Sequence, residues 1–199
     1  AETKGGKFHF RPSIYWNRFQ DRYEFYRGAP DKSPFNYNRT DVFGLNLNSW
    51  FDWILGRTAF GAEFRNEDLV SGNLGEPLDN PIHIHGTDRN YAYGLNRSNL
   101  SFYLEHNVIL KRFTLSAGVK NTWNEMPFKI YPGVDVSYRI GQNWKVFASY
   151  NMSLRMPSFT ELYYSVDGHK ADKYLKPEEM SAVEGGVRYV SEGITGTLS

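Results

Sequence analysis

The strongest constraint on this chain is a period-two alternation of apolar and polar residues, repeated over run after run. In residues 112–123, Phe113, Leu115, Ala117, Val119 and Trp123 share one side, against Arg112, Thr114, Ser116, Lys120 and Thr122. The pattern returns at 144–155, where Trp144, Val146, Ala148, Tyr150, Met152 and Leu154 oppose Lys145, Ser149, Asn151, Ser153 and Arg155. It returns again at 130–140, where Val134, Val136, Tyr138 and Ile140 oppose Asp135, Ser137 and Arg139. Successive side chains of an extended strand point to opposite faces, so this period predicts strands whose two sides meet different surroundings. Weaker versions cover 8–19, 41–54, 57–67, 98–110 and 178–190, with a partial strand from Ile194. The reading is all-β, with about nine strands and no amphipathic helix.

Several runs reach about 11–13 residues, longer than the ~5–6 usual in soluble sheets and enough for a tilted strand to cross a bilayer, which takes ~9–11. The connections alternate. Tight turns at Leu55 to Arg57, near Lys111, at Gly141 to Asn143 and at Ser191 to Gly193 separate longer stretches at 20–40, 68–97 and 155–177, with a medium one from Asn124 to Pro127. An up-and-down membrane barrel sorts its connections this way, short at one rim and long at the other.

Composition fits the same picture. The chain has 14 Tyr, 14 Phe and 5 Trp, yet its mean hydropathy is −0.57, as expected of strands with one apolar and one polar side. Trp53, Trp123, Trp144 and Tyr138 fall near strand ends, where aromatic girdles sit in membrane barrels. No apolar run approaches the ~20 residues of a membrane helix. The 23 Lys+Arg and 22 Asp+Glu leave a net charge of +1, which gives nucleic acid no electrostatic hold. Cysteine is absent, removing thiolate chemistry.

Residues 150–184 resemble the barrel of TonB-dependent outer-membrane receptors. The family's Arg-x-Pro-Ser-x-x-Glu-Leu-Tyr stretch corresponds to Arg155, Pro157, Ser158, Glu161, Leu162 and Tyr163, and its following Leu-Lys/Arg-Pro-Glu to Leu175, Lys176, Pro177 and Glu178. Residues 56–75 resemble the family's Gly-Lys/Arg-x-x-x-Gly-x-Glu-x-Arg strand, and 129–155 its hairpin ahead of the Arg-Pro element. The resemblance implies an antiparallel up-and-down transmembrane β-barrel wall, one stretch of a larger barrel of about 22 strands. It implies outer-membrane lipid, a periplasmic TonB energy-coupling protein acting through a plug, and a scarce nutrient as partners. Siderophore–iron and cobalamin are nutrients of that kind. No cofactor is implied. On this reading residues 1–199 form part of one barrel domain, with no plug domain and no signal peptide visible.

The resemblance and the alternation together suggest two groups of residues. Glu63, Arg65, Glu67, Glu184 and Arg188 would face the lumen or plug, together with Arg155 and Glu161, which also read as an ion pair fixing the start of a loop. Ligand candidates in the 155–177 loop are Phe159, Tyr163, Tyr164, Asp167, His169 and Tyr174, since aromatics mixed with polar groups suit a large, partly apolar ligand. In the 68–97 loop, His83 and His85 could share one side of an extended segment. Two imidazoles do not make a metal site without a third ligand such as His106, His169 or Asp79, and solvent-exposed loop histidines account for them as well. No acid/base pair or nucleophile elbow stands out, Ser158 having no histidine nearby, so the chain is not read as an enzyme. Two other readings remain: a non-transporting structural or adhesive outer-membrane barrel, and a soluble lipocalin-like ligand-binding protein.

Overall fold

In the computed structural model, residues 8–29, 32, 35–123, 129–165 and 170–199 are described. Ten strands run in order: β1 (Phe8–Tyr23), β2 (Asn36–Trp53), β3 (Gly56–Ser71), β4 (Glu76–His83), β5 (Asn90–Ile109), β6 (Phe113–Trp123), β7 (Lys129–Ile140), β8 (Trp144–Arg155), β9 (Glu178–Val190) and β10 (Thr195–Leu198). One short helix, α1 (Phe159–Tyr163), lies between β8 and β9. They form one antiparallel sheet in the order β1-β2-β3-β5-β6-β7-β8-β9-β10, with β4 paired to β5 off that path. Nearly every strand pairs with its sequence neighbour, which is the up-and-down meander that the alternation predicts.

Register converts the sequence pattern into two faces. On one, Leu45 lies opposite Phe64, and Phe64 opposite Leu100. On the same face Val119 stands between Leu104 and Pro132, and Val136 between Leu115 and Ala148. Among the described residues nothing covers this side: Leu104 is 52% exposed and Val183 82%. A broad uncovered apolar face is stable only against an apolar surrounding. At the tight-turn end it finishes in Trp53, Tyr138 and Trp144, with the Trp144 and Tyr189 rings 4.8 Å apart. Trp123 closes β6 at the opposite end.

Toward the long connections the same face changes character. Arg18 donates to both carboxylate oxygens of Asp41 at 2.7 and 3.0 Å, and Asn66 donates to Asn96 at 2.8 Å. β1, β2, β3 and β5 therefore continue beyond the apolar zone and project past it. The 68–97 stretch, expected to be one loop, is mostly strand: β3 reaches Ser71, β4 occupies Glu76–His83 and β5 begins at Asn90. Gly94 pairs with both Val70 of β3 and Glu76 of β4. A small core of Val70, Ile84 and Tyr91, with Tyr37 and Leu78 against it, holds β4 in place. The strand count is thus ten rather than nine, and α1 adds a single helical turn.

The polar face carries Glu63, Arg65 and Glu67 in β3, opposite Ser101, Asn99 and Arg97 of β5. Glu184 and Arg188 in β9 are exposed on it, opposite Ser149 and Lys145. Two tyrosines lie flat on this face over glycines. A Cβ on Gly44 would sit 2.1 Å from the Tyr15 ring, and one on Gly61 would sit 2.5 Å from the Tyr103 ring. Tyr103 then donates its hydroxyl to Asn48 at 2.8 Å, and Asn48 is the residue paired with Gly61. The ring thus spans β5, β3 and β2, packing where the glycine leaves no side chain.

At the opposite rim Gly56, just after the Ile54–Leu55 turn, has φ 127, and a Cβ there would fall 2.0 Å from the Asn107 carbonyl oxygen. Tyr103→Phe should cost about 0.5–1.5 kcal/mol, the net worth of one hydrogen bond. Gly61→Val should cost more, since it displaces the ring and also meets the Leu47 carbonyl. Both are measurable as a lower temperature at which the folded, fast-migrating gel band is lost, and equal losses would refute this ordering.

Candidate functional site

The long connections gather at one end of the sheet, and two arginines organise them. Arg155, the last residue of β8, donates through Nη1 and Nη2 to both oxygens of Glu161 at 3.0 and 2.8 Å, and through Nε to Glu178 at 2.8 Å. One guanidinium thus ties the end of β8, the first turn of α1 and the start of β9. A planar fork of donors suits two carboxylates at once, as a lysine would not.

The intervening residues make the geometry possible. Pro157 cannot continue the β8 ladder. Ser158 then caps α1: its hydroxyl accepts from the Glu161 N–H at 3.2 Å, while Glu161 accepts from the Ser158 N–H at 2.7 Å. This reciprocal pair is a capping box. Glu161 is therefore held by both Arg155 and Ser158, which accounts for the Arg, Ser and Glu spacing.

The second arginine was not singled out by the sequence. Arg97 of β5 donates Nε and Nη2 to Glu67 at 2.9 and 2.6 Å, and Nη1 to the Pro157 carbonyl at 2.6 Å. Its guanidinium also lies 4.6 Å from the centroid of the Phe159 ring. Arg65 donates to the other oxygen of Glu67 at 2.9 Å. The β8–β9 connection is thereby fastened to β5, three places away in the sheet, over the polar face. Arg97 borders a stretch expected to be a loop, and nothing in its local sequence marks it as a clasp.

The other candidates separate. Tyr163 donates to Glu76 of β4 at 3.4 Å, and Lys173 pairs with the same carboxylate at 3.6 Å. Tyr164 lines a cavity with residues of the β1–β2 and β4–β5 connections. Tyr174 stands 78% exposed. Asp167 and His169 lie outside the described residues. His83 ends β4, with Nδ1 3.3 Å from the Asn90 side-chain oxygen, whereas His85 sits in the turn that follows. The extended segment expected to carry both imidazoles therefore stops between them, and among the described residues no three His, Cys, Asp or Glu side chains gather as a metal site. A second ion pair, Lys129 with Glu179, joins β7 to β9, and Tyr131 donates to Glu179 at 3.4 Å.

The sequence model of a protein family described as "TonB dependent receptor-like, beta-barrel" matches residues 3–199. The chain belongs to this family. Comparison with curated protein sequences gives no match. Among solved structures, the chain is similar to the copper transporter OprC, with a TM-score of 0.66 at 13% identity, over 95% of this chain and 34% of that one. It also matches the siderophore receptor PirA from Pseudomonas aeruginosa, with a TM-score of 0.49 at 12% identity, over 98% and 48%. The chain thus spans about a third of the first structure and just under half of the second. The OprC likeness, together with the family, makes the open sheet a stretch of TonB-dependent receptor barrel wall. In barrels of this kind the apolar face looks outward and the polar face lines the lumen; the Arg97 clasp lies on the polar face.

The hydrogen bonds from Arg155, then those from the Ser158 N–H and hydroxyl, hold the Glu161 carboxyl down at about 2. Arg155 holds Glu178 below the usual carboxylate range as well. A carboxylate whose pKa falls on folding stabilises fully above its ordinary value of 4.5 and loses that contribution as pH drops toward 2. Hydrogen–deuterium exchange, corrected for intrinsic rates, should show residues 158–162 protected at pH 5 and above and opening between about 4.5 and 2. Glu161→Gln should leave the segment open across the whole range; a protected, pH-independent segment in that variant would show that the carboxylate does not hold it.

Proposed function

We propose that this chain is a wall segment of an outer-membrane receptor that takes up a scarce nutrient. The wall meets outer-membrane lipid on its apolar face. Its long connections capture the solute from outside, and a plug in the lumen admits it when the periplasmic TonB protein supplies energy. The observation that carries this reading is the fastening of the Pro157–Phe159 segment to Arg97 and Glu67. It turns the long β8–β9 connection into a fixed surface above the lumen. A fixed, aromatic, polar-edged surface favours selective capture, because little ordering entropy remains to be lost on binding.

The residues divide the work by position. Glu63, Arg65, Glu184 and Arg188 face the lumen, where plug or passing solute would meet them. Phe159, Tyr163 and Tyr164 sit on the anchored connection at the mouth. Siderophore–iron complexes, cobalamin and similar scarce solutes are the substrate class this reading supports.

The direct test is complementation. A strain lacking the gene, grown with one limiting nutrient at a time, should recover on at least one of them when the intact protein is supplied, and only while TonB is functional. Arg97→Ala should keep the heat-modifiable folded band yet weaken nutrient binding roughly 10-fold, the scale of a lost charge-assisted hydrogen-bond set. Growth rescue that persists without TonB would refute energy-coupled uptake. Surface adhesion without any nutrient dependence would instead favour the adhesive barrel.

A further inference from the structure

At the tight-turn rim the polar face carries a line of cations that the wall itself does not neutralise. Arg139 stands opposite Lys145, and Lys145 opposite Arg188. The Arg139 N–H donates to the Arg112 carbonyl at 2.7 Å, which places Arg112 next in the same line. Four exposed cations thus follow one another from the start of β6 across β7 and β8 to β9. At ~4.8 Å per strand the row is about 14 Å wide.

Like charges directly opposite one another on neighbouring strands are unfavourable, and no counter-charge in the wall relieves them. Among the described residues none of the four enters an ion pair, whereas Arg57, Arg65, Arg97, Lys129 and Arg155 each do. The next rung inward, Thr114, Ser137, Phe147 and Gly186, is uncharged. Asp135 and Glu184 lie one rung further in, on either side of Ser149. Each is four residues from Arg139 or Arg188 on its own strand, about 13 Å away at ~3.3 Å per residue. Beside the row is a cavity of about 320 Å3; of the eight described residues of its lining four are cations, Lys111 included, and none is acidic.

Elsewhere the wall sets carboxylates beside its arginines, as Glu67 stands beside Arg97 and Glu161 beside Arg155. The uncompensated row therefore fits a partner that brings the negative charge with it. Breadth selects among partners, because a single small anion meets only one or two of the four. An extended peptide with carboxylates at every second residue projects them to one side ~6.6 Å apart, so three of them span about 13 Å. The face selects further: the row lies on the polar side, whereas lipid adjoins the apolar one.

We infer that the row of Arg112, Arg139, Lys145 and Arg188 is the docking seat of an acidic, extended polypeptide segment of the domain that fills the lumen. The inference rests on the receptor reading above and names the place, sign and shape of a contact which that reading leaves open. On that reading the seat lies at the rim nearest the periplasm, where the short turns are.

The test treats the intact protein in detergent with a water-soluble carbodiimide, which condenses an ammonium and a touching carboxylate to an amide, and maps the links by mass spectrometry. Lys145 should link to an Asp or Glu outside the wall segment, in a stretch with further acids two residues away. The Lys129–Glu179 pair is the internal control. Raising salt from about 0.1 M to about 1 M shortens the screening length from ~10 to ~3 Å and should suppress the Lys145 link. A variant carrying Arg139→Gln, Lys145→Gln and Arg188→Gln together should keep the heat-modifiable folded band, since it removes unfavourable neighbours. Hydrogen exchange of the linked acidic segment should rise roughly 10-fold in that variant. Linkage of Lys129 without Lys145, linkage of Lys145 only to Asp135, Glu184 or Glu192, or unchanged exchange in the variant overturns the proposal. Loss of the folded band would also overturn it, by showing that the row serves the wall itself. Saturable binding of inorganic phosphate with no Lys145 link would assign the row to a small anion instead. If the link is absent while TonB-dependent uptake persists, the seat is wrong and the receptor reading stands. If the link forms as expected but uptake is absent, the receptor reading alone fails.

Discussion

A strand placed between two unlike surroundings has its register fixed in steps of two. A slip of one residue would send Glu63, Arg65 and Glu67 to the side of Phe60 and Phe64, and bring those rings onto the polar face. Because each strand is locked to both neighbours, the constraint passes from β1 through β10, and every other feature inherits its position from it. The pairing of Tyr103 with Gly61 and Asn48 requires three strands to be aligned at once. The approach of Arg97 to Glu67 needs the register of two, since these are paired residues on adjacent strands. The tight turns at one rim and the converging connections at the other are the two ends of the same ladder.

At the long-connection end, where lipid no longer enforces alternation, charge takes over the ordering role. Arg155 and Arg97 each hold more than one partner, and they act on neighbouring parts of one connection: Arg155 on Glu161, Arg97 on Pro157 and Phe159. Their carboxylate partners are themselves shared, Glu161 with Ser158 and Glu67 with Arg65. Individually exposed ion pairs contribute little, but shared, bidentate ones restrict geometry. A chain that would otherwise wander above the mouth is given a defined path, and Tyr164 reaches the cavity it lines as a result.

How much of this could be read in advance depends on what surrounds each residue. β6, β7 and β8 were legible with their faces assigned, because hydrocarbon on one side and water on the other imprint a two-residue contrast. The outer ends of β2, β3 and β5, residues 36–40, 68–71 and 90–97, were not. At 36–40 and 68–71 polar residues fall on both faces, and at 90–97 the small Ala92 and Gly94 alternate with Tyr91, Tyr93 and Leu95, so the period carries little polar-to-apolar contrast although the backbone remains extended. For the same reason β4 was hidden within an expected loop. The Arg155–Glu161 pair could be suspected from spacing, since both partners lie within one turn of chain. Arg97 and Pro157 are 60 positions apart, and nothing local in either segment reports their meeting. The residues that line the Tyr164 cavity belong to four separate connections and were equally invisible as a group.

The tyrosines laid over Gly44 and Gly61 have a further consequence for the bore. A large ring normally juts inward and narrows a channel. Here each glycine leaves a shallow recess in the backbone, and the ring settles into it with its plane along the wall. The aromatic mass stiffens three adjacent strands while taking little radial space. In this sector the rings lie close to the backbone and share the face with charged side chains such as Arg65, rather than standing off it themselves.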